Sequence, residues 1–296
     1  MSRGILYAAL AYTFWGLFPL YFRQVQHVPA LEVVMHRTVW SLVFLLGVLT
    51  VLRRWQWLQA VLRQPRVLAA FAASALLLSA NWLTYVWAVQ NNHVLDASLG
   101  YFILPLVNVG IGYFILHERP RRGQWVAVVV AASGVLWLAI QAGHPPWVAL
   151  ILASTFGVYG LLRKLAPLGA LEGLTLETLI LAPIAAVGLC VLMSQGHNAL
   201  STVAQGDYST LGWLLLAGPF TAGPLLLFAA GARRNTLTTM GILQYISPSL
   251  QFALGVWIFH EPFAPVRLVG FALIWSALLI YSVEGWLFSR SQSQRA

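Results

Sequence analysis

The sequence predicts an all-α membrane protein of ten transmembrane helices arranged as two inverted five-helix repeats. Three observations carry that expectation: a lipid-soluble composition, ten apolar runs of bilayer length, and motifs of the first half that recur in the second at a fixed offset. Of 296 residues 59% are hydrophobic and 8% charged. The mean hydropathy of +0.77 is outside the range of water-soluble domains.

A hydrocarbon core about 30 Å thick is crossed by roughly 20 helical residues. The chain offers runs at 4–22, 31–52, 67–90, 94–116, 123–141, 146–162, 171–193, 211–232, 236–259 and 265–287. The first follows Arg3 and leads to no small-x-small cleavage site, so it reads as a retained helix and not as a signal peptide. Trp55, Trp57, Trp125, Trp147, Trp213 and Trp286 fall near run ends, where indole rings anchor at the membrane interface.

The basic residues sort by side. Of the 17 Lys and Arg, alternate connections take Arg3, then Arg53, Arg54, Arg63 and Arg66, then Arg119, Arg121 and Arg122, then Arg163 and Lys164, then Arg233 and Arg234, then Arg290 and Arg295. The opposite side takes Arg23 and Arg267, and Arg37 is left inside a span. The asymmetry predicts a bacterial inner-membrane protein with both termini cytoplasmic. The net charge of +9 is therefore a topology signal, and no nucleic-acid partner is expected. The single cysteine, Cys190, excludes an intrachain disulfide and a Cys-rich metal site. No cofactor and no metal are expected.

The repeat emerges when the chain is slid against itself by 143 residues. Residues 102–118 then align with 245–261, matching Ile103 with Ile246, Pro105 with Pro248, Gly112 with Gly255, Ile115 with Ile258, His117 with His260 and Glu118 with Glu261. At an offset of 140, Ala30, Leu31, Glu32 and Thr38 match Ala170, Leu171, Glu172 and Thr178. Five is odd, so a duplicated five-helix unit enters the membrane with reversed orientation, the plan of alternating-access carriers. The expected units are 1–142 and 143–288, with a cytoplasmic tail at 289–296.

These segments also resemble a known family. Glu32-x3-His36-Arg37-x2-Trp40-Ser41, Asn81-Trp82, Ser98-Leu-Gly-Tyr-Phe102 with Pro105-Leu-x-Asn108, Tyr159-Gly-Leu-Leu-Arg-Lys164, and Leu243-Gln-Tyr-Ile246 with Pro248 are similar to the drug/metabolite transporter superfamily. Within it the likeness is to EamA-type members and most to the RarD, or chloramphenicol-sensitivity, family. The resemblance covers essentially the whole chain. It implies an inner-membrane permease that exports or exchanges small metabolites or drugs, and leaves the substrate open.

Ionisable groups inside a membrane cost about 2.5–3.5 kcal/mol at a helix centre on insertion scales and seldom persist without a role. The second run places Glu32 near the outer interface, with His36 on the same face one turn deeper and Arg37 beside it. Arg37 calls for a carboxylate, carbonyls or water, with Asp96 and Glu32 as candidate partners. It is either a fixed tie between helices or the site of an anionic substrate group. The equivalent position of the second half holds Glu177, a candidate protonatable coupling group whose alternative is a packing partner for the Arg163-Lys164 end. Each lies about 9 Å inside an opposite face of the core, too far apart to pair directly. Asn81, Trp82, Tyr85, Tyr101, Asn108, Gln244, Tyr245 and Gln251 add amide and aromatic groups that suit a pocket for an amphipathic or aromatic solute.

His117-Glu118 and His260-Glu261 read as turn or capping residues, since neither is followed by the x-x-His of a zinc protease. Pro19, Pro105, Pro183, Pro219, Pro224 and Pro248 interrupt spans and should kink them. The chain lacks H-E-x-x-H, G-x-S-x-G and a P-loop, which argues against an intramembrane enzyme. A passive channel or facilitator shares the fold logic, but no repeated charge ring or carbonyl filter marks a pore. The expected activity is transport of small organic metabolites or drugs by alternating access, driven by an ion or solute gradient, with protons as the candidate ion.

Overall fold

Inside a bilayer the backbone can hydrogen-bond only to protein, and the apolar runs accordingly fold as helix. The computed structural model describes residues 3–90, 94–142, 145–195, 208–258 and 266–293. Its helices are α1 (Arg3–Gly16), α2 (Phe18–Gln24), α3 (Ala30–Val51), α4 (Gln56–Leu62), α5 (Pro65–Gln90), α6 (Val94–Phe114) and α7 (Arg122–Ala142). They continue with α8 (Trp147–Leu165), α9 (Ala170–Ser194), α10 (Tyr208–Ala232), α11 (Leu237–Gln244), α12 (Ile246–Trp257) and α13 (Val266–Ser293).

Among the described residues, 8 helical stretches are long and apolar enough to cross a membrane. The other two expected runs are helical as well, but differently built. α6 contributes the shorter apolar stretch Leu99–Phe114, and the run at 236–259 is divided between α11 and α12. The outward faces are apolar: Leu76, Ile184 and Leu279 are 65, 72 and 67% exposed. Such a surface is stable only against lipid tails, so the protein is a multi-pass membrane protein.

The centre of the bundle is filled by Tyr12 of α1, Leu45 of α3, Tyr159 of α8, Phe228 of α10 and Met240 of α11. The rings of Tyr159 and Phe228 stack with centroids 6.1 Å apart. Peripheral helices approach closely where residues are small. α7 and α13 meet at Gly134, where a Cβ would stand 2.8 Å from the carbonyl oxygen of Gly270.

The helix pairings form an ordered set. Take α1, α3, α5, α6 and α7 as counterparts of α8, α9, α10, α11/α12 and α13, the offsets matching α3 with α9 and α6 with α11/α12 and chain order supplying the rest. The contact of α3 with α10 then maps onto that of α9 with α5, α1 with α10 onto α8 with α5, and α6 with α8 onto α12 with α1. The pairs α7–α13, α3–α9 and α6–α11 map onto themselves.

Prolines break the chain at two places and leave it helical elsewhere. A proline has no N–H for the carbonyl four residues earlier. At Pro19 this frees the Trp15 carbonyl, α1 stops at Gly16, and α2 starts at Phe18. The freed oxygen is taken by the Gln251 side chain, whose Nε2 donates to it at 3.1 Å. At Pro248 the Gln244 carbonyl loses its donor, and α11 gives way to α12 at Tyr245. Helices α6, α9 and α10 run on through Pro105, Pro183, Pro219 and Pro224.

Glu118 joins the two halves. His117 adopts a left-handed backbone, φ 53°, which turns the chain at the end of α6. The Glu118 carboxylate then accepts from the backbone N–H groups of Leu237 and Thr238 at 2.8 and 3.1 Å and from the Thr238 hydroxyl at 3.0 Å. It thereby caps the positive end of α11. Lys164 Nζ stands 3.7 Å from the same carboxylate. His260 and Glu261 lie outside the described residues.

The basic connections gather at one end of the bundle. Arg54 pairs with Glu172 at 3.6 Å, Arg233 donates to the carbonyls of Ala166 and Leu168, and Lys164 donates to the carbonyl of Asn235. Gly4, at the start of α1, packs on Arg234 and Asn235 at this same end.

Replacing Glu118 with Ala removes the cap from α11. The expected loss is about 1–2 kcal/mol, read as a lower denaturant midpoint for the detergent-solubilised protein. An unchanged midpoint contradicts the capping role.

Candidate functional site

A cavity of about 600 Å³ enters the bundle from the end opposite the basic connections. Its rim includes Val25, Gln26 and Val28 of the α2–α3 connection, and Tyr12, Tyr101, Phe156 and Gln244 line it within the bundle. Tyr12 lies about 12 Å along α1 from Gly4, at 1.5 Å per residue, so the cavity reaches the middle of the membrane. Of the residues singled out in the sequence, Arg37, Asn81, Trp82, Tyr85, Tyr101, Gln244 and Gln251 line it.

The central group is Arg37, 4% exposed, on α3. Its guanidinium carbon lies 3.6 Å from the centroid of the Trp82 ring and 5.9 Å from that of Phe18. Nε donates to the Thr221 hydroxyl of α10 at 2.7 Å. Nη1 is buried with no hydrogen-bond partner. Among the described residues, then, the partners of Arg37 are a hydroxyl and an indole face. Glu32 is instead 3.7 Å from His36, and the side chain of Asp96 lies outside the described residues.

A cation–π stack contributes about 0.5–2 kcal/mol and a hydrogen bond from a charged group about 1.5–3 kcal/mol. Together they are comparable to the roughly 2.5–3.5 kcal/mol of inserting an arginine. The charge is therefore held in place with no carboxylate against it among the described residues.

The other lining groups are oriented by bonds to neighbouring helices. Asn81 Nδ2 donates to the Leu152 carbonyl and to the Thr155 hydroxyl, both at 2.9 Å, which ties α5 to α8. Gln251 Nε2 is engaged by Trp15, as described above. Tyr85 meets Trp82 edge-on at 5.9 Å and Tyr101 at 6.4 Å, giving a continuous aromatic wall.

Five singled-out residues fall outside the cavity lining. Asn108 is buried and donates to Gln244 Oε1 at 3.2 Å, binding α6 to α11. Tyr245 is buried and donates to the Phe102 carbonyl at 3.3 Å, which joins the two residues matched by the 143-residue offset. Glu32 and His36 are buried on α3, and His36 Nδ1 accepts from Trp40 Nε1 at 3.3 Å.

Glu177 forms a second centre. It is 1% exposed, accepts hydrogen bonds from Ser74 and Tyr159, and lies 3.6 Å from Arg163, itself 1% exposed. Arg163 also donates to the Ala170 carbonyl at 3.0 Å. The cluster fastens α5, α8 and α9 together near the basic end.

Several members of these sites escape sequence reading. Thr221 sits between Pro219 and Pro224, and a hydroxyl flanked by prolines in a span was a usable signal. Arg163 is named there only as part of the Arg163-Lys164 end, the alternative partner of Glu177, although its i,i+4 relation to Tyr159 puts both on one helix face. Ser74 carried no signal.

The sequence profile of the EamA-like transporter family matches residues 2–140. The uncharacterized transporter YojE of Bacillus subtilis is 44% identical over 301 residues, covering 100% of this chain and 97% of its own. Protein RarD of Escherichia coli is 40% identical over 292 residues, covering 99% and 98%. The chain belongs to the EamA-like transporter family. This EamA-like protein is therefore a membrane transporter, the role for which both the family and the YojE relative are named. Protein RarD of Streptomyces exfoliatus is 44% identical over 294 residues, 99% of this chain and 92% of its own. A crystal structure 18% identical in sequence shares the fold, with a TM-score of 0.74 over 95% of this chain and 98% of that one.

Removing one partner of a buried ion pair strands the other charge, at a cost of about 3–5 kcal/mol. Glu177→Gln and Arg163→Met should each destabilise the purified protein strongly, and the double substitution by much less than the sum. Additive losses contradict the pairing.

Proposed function

We propose that this EamA-like transporter carries small organic solutes across a bacterial inner membrane by alternating access. The observation that carries the reading is a mid-membrane cavity entered from one end, with a buried ion-pair cluster near the other. In this reading residues 1–142 and 143–288 are two inverted five-helix repeats, and both termini are cytoplasmic. The exchange-related helix pairings support the repeats, and the gathering of basic connections at one end supports the orientation. The cavity then faces away from the cytoplasm in this conformation, and the Arg163–Glu177 cluster belongs to the closed cytoplasmic side.

Access alternates when the two halves exchange roles. Opening the cytoplasmic side separates α5, α8 and α9, and so requires the Arg163–Glu177 contact to break. A proton on Glu177 removes the charge that Arg163 faces and eases that step, which makes Glu177 the coupling group of this mechanism. Arg37, Trp82, Tyr85, Tyr101, Asn81, Gln244 and Gln251 contact the solute.

Reconstitution tests the reading. In proteoliposomes the protein should give saturable uptake with counterflow of preloaded solute, abolished by Arg37→Ala. Flux thousands of times faster and without saturation marks a channel. Glu177→Gln should keep counterflow but lose accumulation driven by a pH gradient, and full gradient-driven accumulation in that variant excludes the coupling role. Single cysteines at positions 2 and 296, in a Cys190→Ser background, should label from the same face.

A further inference from the structure

We propose that the cavity selects organic monoanions: a carboxylate held on the Nη edge of Arg37, attached to an apolar body that lies against the aromatic wall. The inference rests on the carrier reading, and names the class of solute carried.

Three observations combine. The first is the hydrogen-bond state of the guanidinium. Only Nε of Arg37 has a hydrogen-bond partner among the described residues, the Thr221 hydroxyl, and Nη1 is buried with none. A guanidinium presents parallel N–H pairs that match the two oxygens of a carboxylate. The stack on Trp82 fixes the plane of that fork, so the site is oriented before the ligand arrives.

The second is charge balance. The described lining residues include no Asp or Glu to balance the charge of Arg37. An ammonium solute entering the cavity would approach like charge at low dielectric, whereas an anion enters with the field. Glu32, the carboxylate nearest in sequence on α3, is turned to His36 and is absent from the lining.

The third is shape and polarity. The walls are largely apolar and carry several rings, among them Trp82, Tyr85, Tyr101 and Phe156. A volume of about 600 Å³ accommodates a ligand with a ring and a short acid chain, within the usual range of small-molecule pockets. An inorganic anion would leave this apolar surface unfilled, which is why the ligand is an organic acid.

The test uses three probes that share one phenyl body and differ in charge: 3-phenylpropionate, 3-phenylpropanamide and 3-phenylpropylamine. Binding is measured on the full chain, purified in detergent, by calorimetry and by quenching of tryptophan emission. The carboxylate should bind at least about tenfold more tightly than the amide, the difference expected for a charge-assisted pair, and the amine more weakly still. Arg37→Gln should abolish the preference, bringing the carboxylate down to the affinity that the same variant shows for the amide. Equal affinity of amide and carboxylate in the unaltered protein overturns the proposal without recourse to any variant. A full carboxylate preference in Arg37→Gln also overturns it, because the anion then binds elsewhere. Binding needs no flux, so the two readings fail separately. A carboxylate preference without counterflow sinks the carrier, and counterflow of all three probes at equal rates sinks the anion selectivity.

Discussion

A carbonyl freed inside a membrane has no water to turn to, and much of this architecture follows from how such groups are answered. Pro19 takes the donor from the Trp15 carbonyl, and Gln251 replaces it from the other half of the chain. The bond fixes the point where α1 ends, and hence the angle at which α2 leaves to line the cavity. Pro248 makes a second break, beside Gln244 and Tyr245, which bond to Asn108 and to the Phe102 carbonyl. The polar residues of α6, α11 and α12 thus act first as partners for neighbouring helices. The cavity occupies the space that remains between the broken helices.

Charge is handled by the same logic at a larger scale. Arg37 and Glu177, matched by the 140-residue offset in the sequence, are served separately. Glu177 has Arg163, Ser74 and Tyr159 around it, a self-sufficient cluster away from the cavity. Among the described residues Arg37 has a hydroxyl and an indole face, which hold it firmly, and no carboxylate. One charge is thus paired within the protein, and the other lines the cavity with no carboxylate partner among the described residues.

Much of the site was legible from residue type alone, because polar groups in lipid are rare enough to be conspicuous. Arg37, Asn81, Trp82, Tyr85, Tyr101, Gln244 and Gln251 stood out for that reason, and they do line one cavity. Asn108 and Tyr245 stood out equally and serve as helix ties, since a buried amide or phenol is as readily used in packing as in binding. Thr221 and Ser74 were passed over. Hydroxyls cost little in a helix and so leave no trace in a hydropathy scan.

Composition and periodicity determined on their own that the chain is helical and lives in lipid, because a span must be apolar for some twenty residues whatever surrounds it. The internal offsets, likewise, needed nothing beyond the letters. Partnership was a different matter. Whether Arg37 meets a carboxylate or a ring, and whether Glu177 faces a cavity or an arginine, depends on how helices distant in sequence are rotated against one another. Only the packed bundle decides that, because rotation about a helix axis is set by contacts all along its length and is invisible in any single segment.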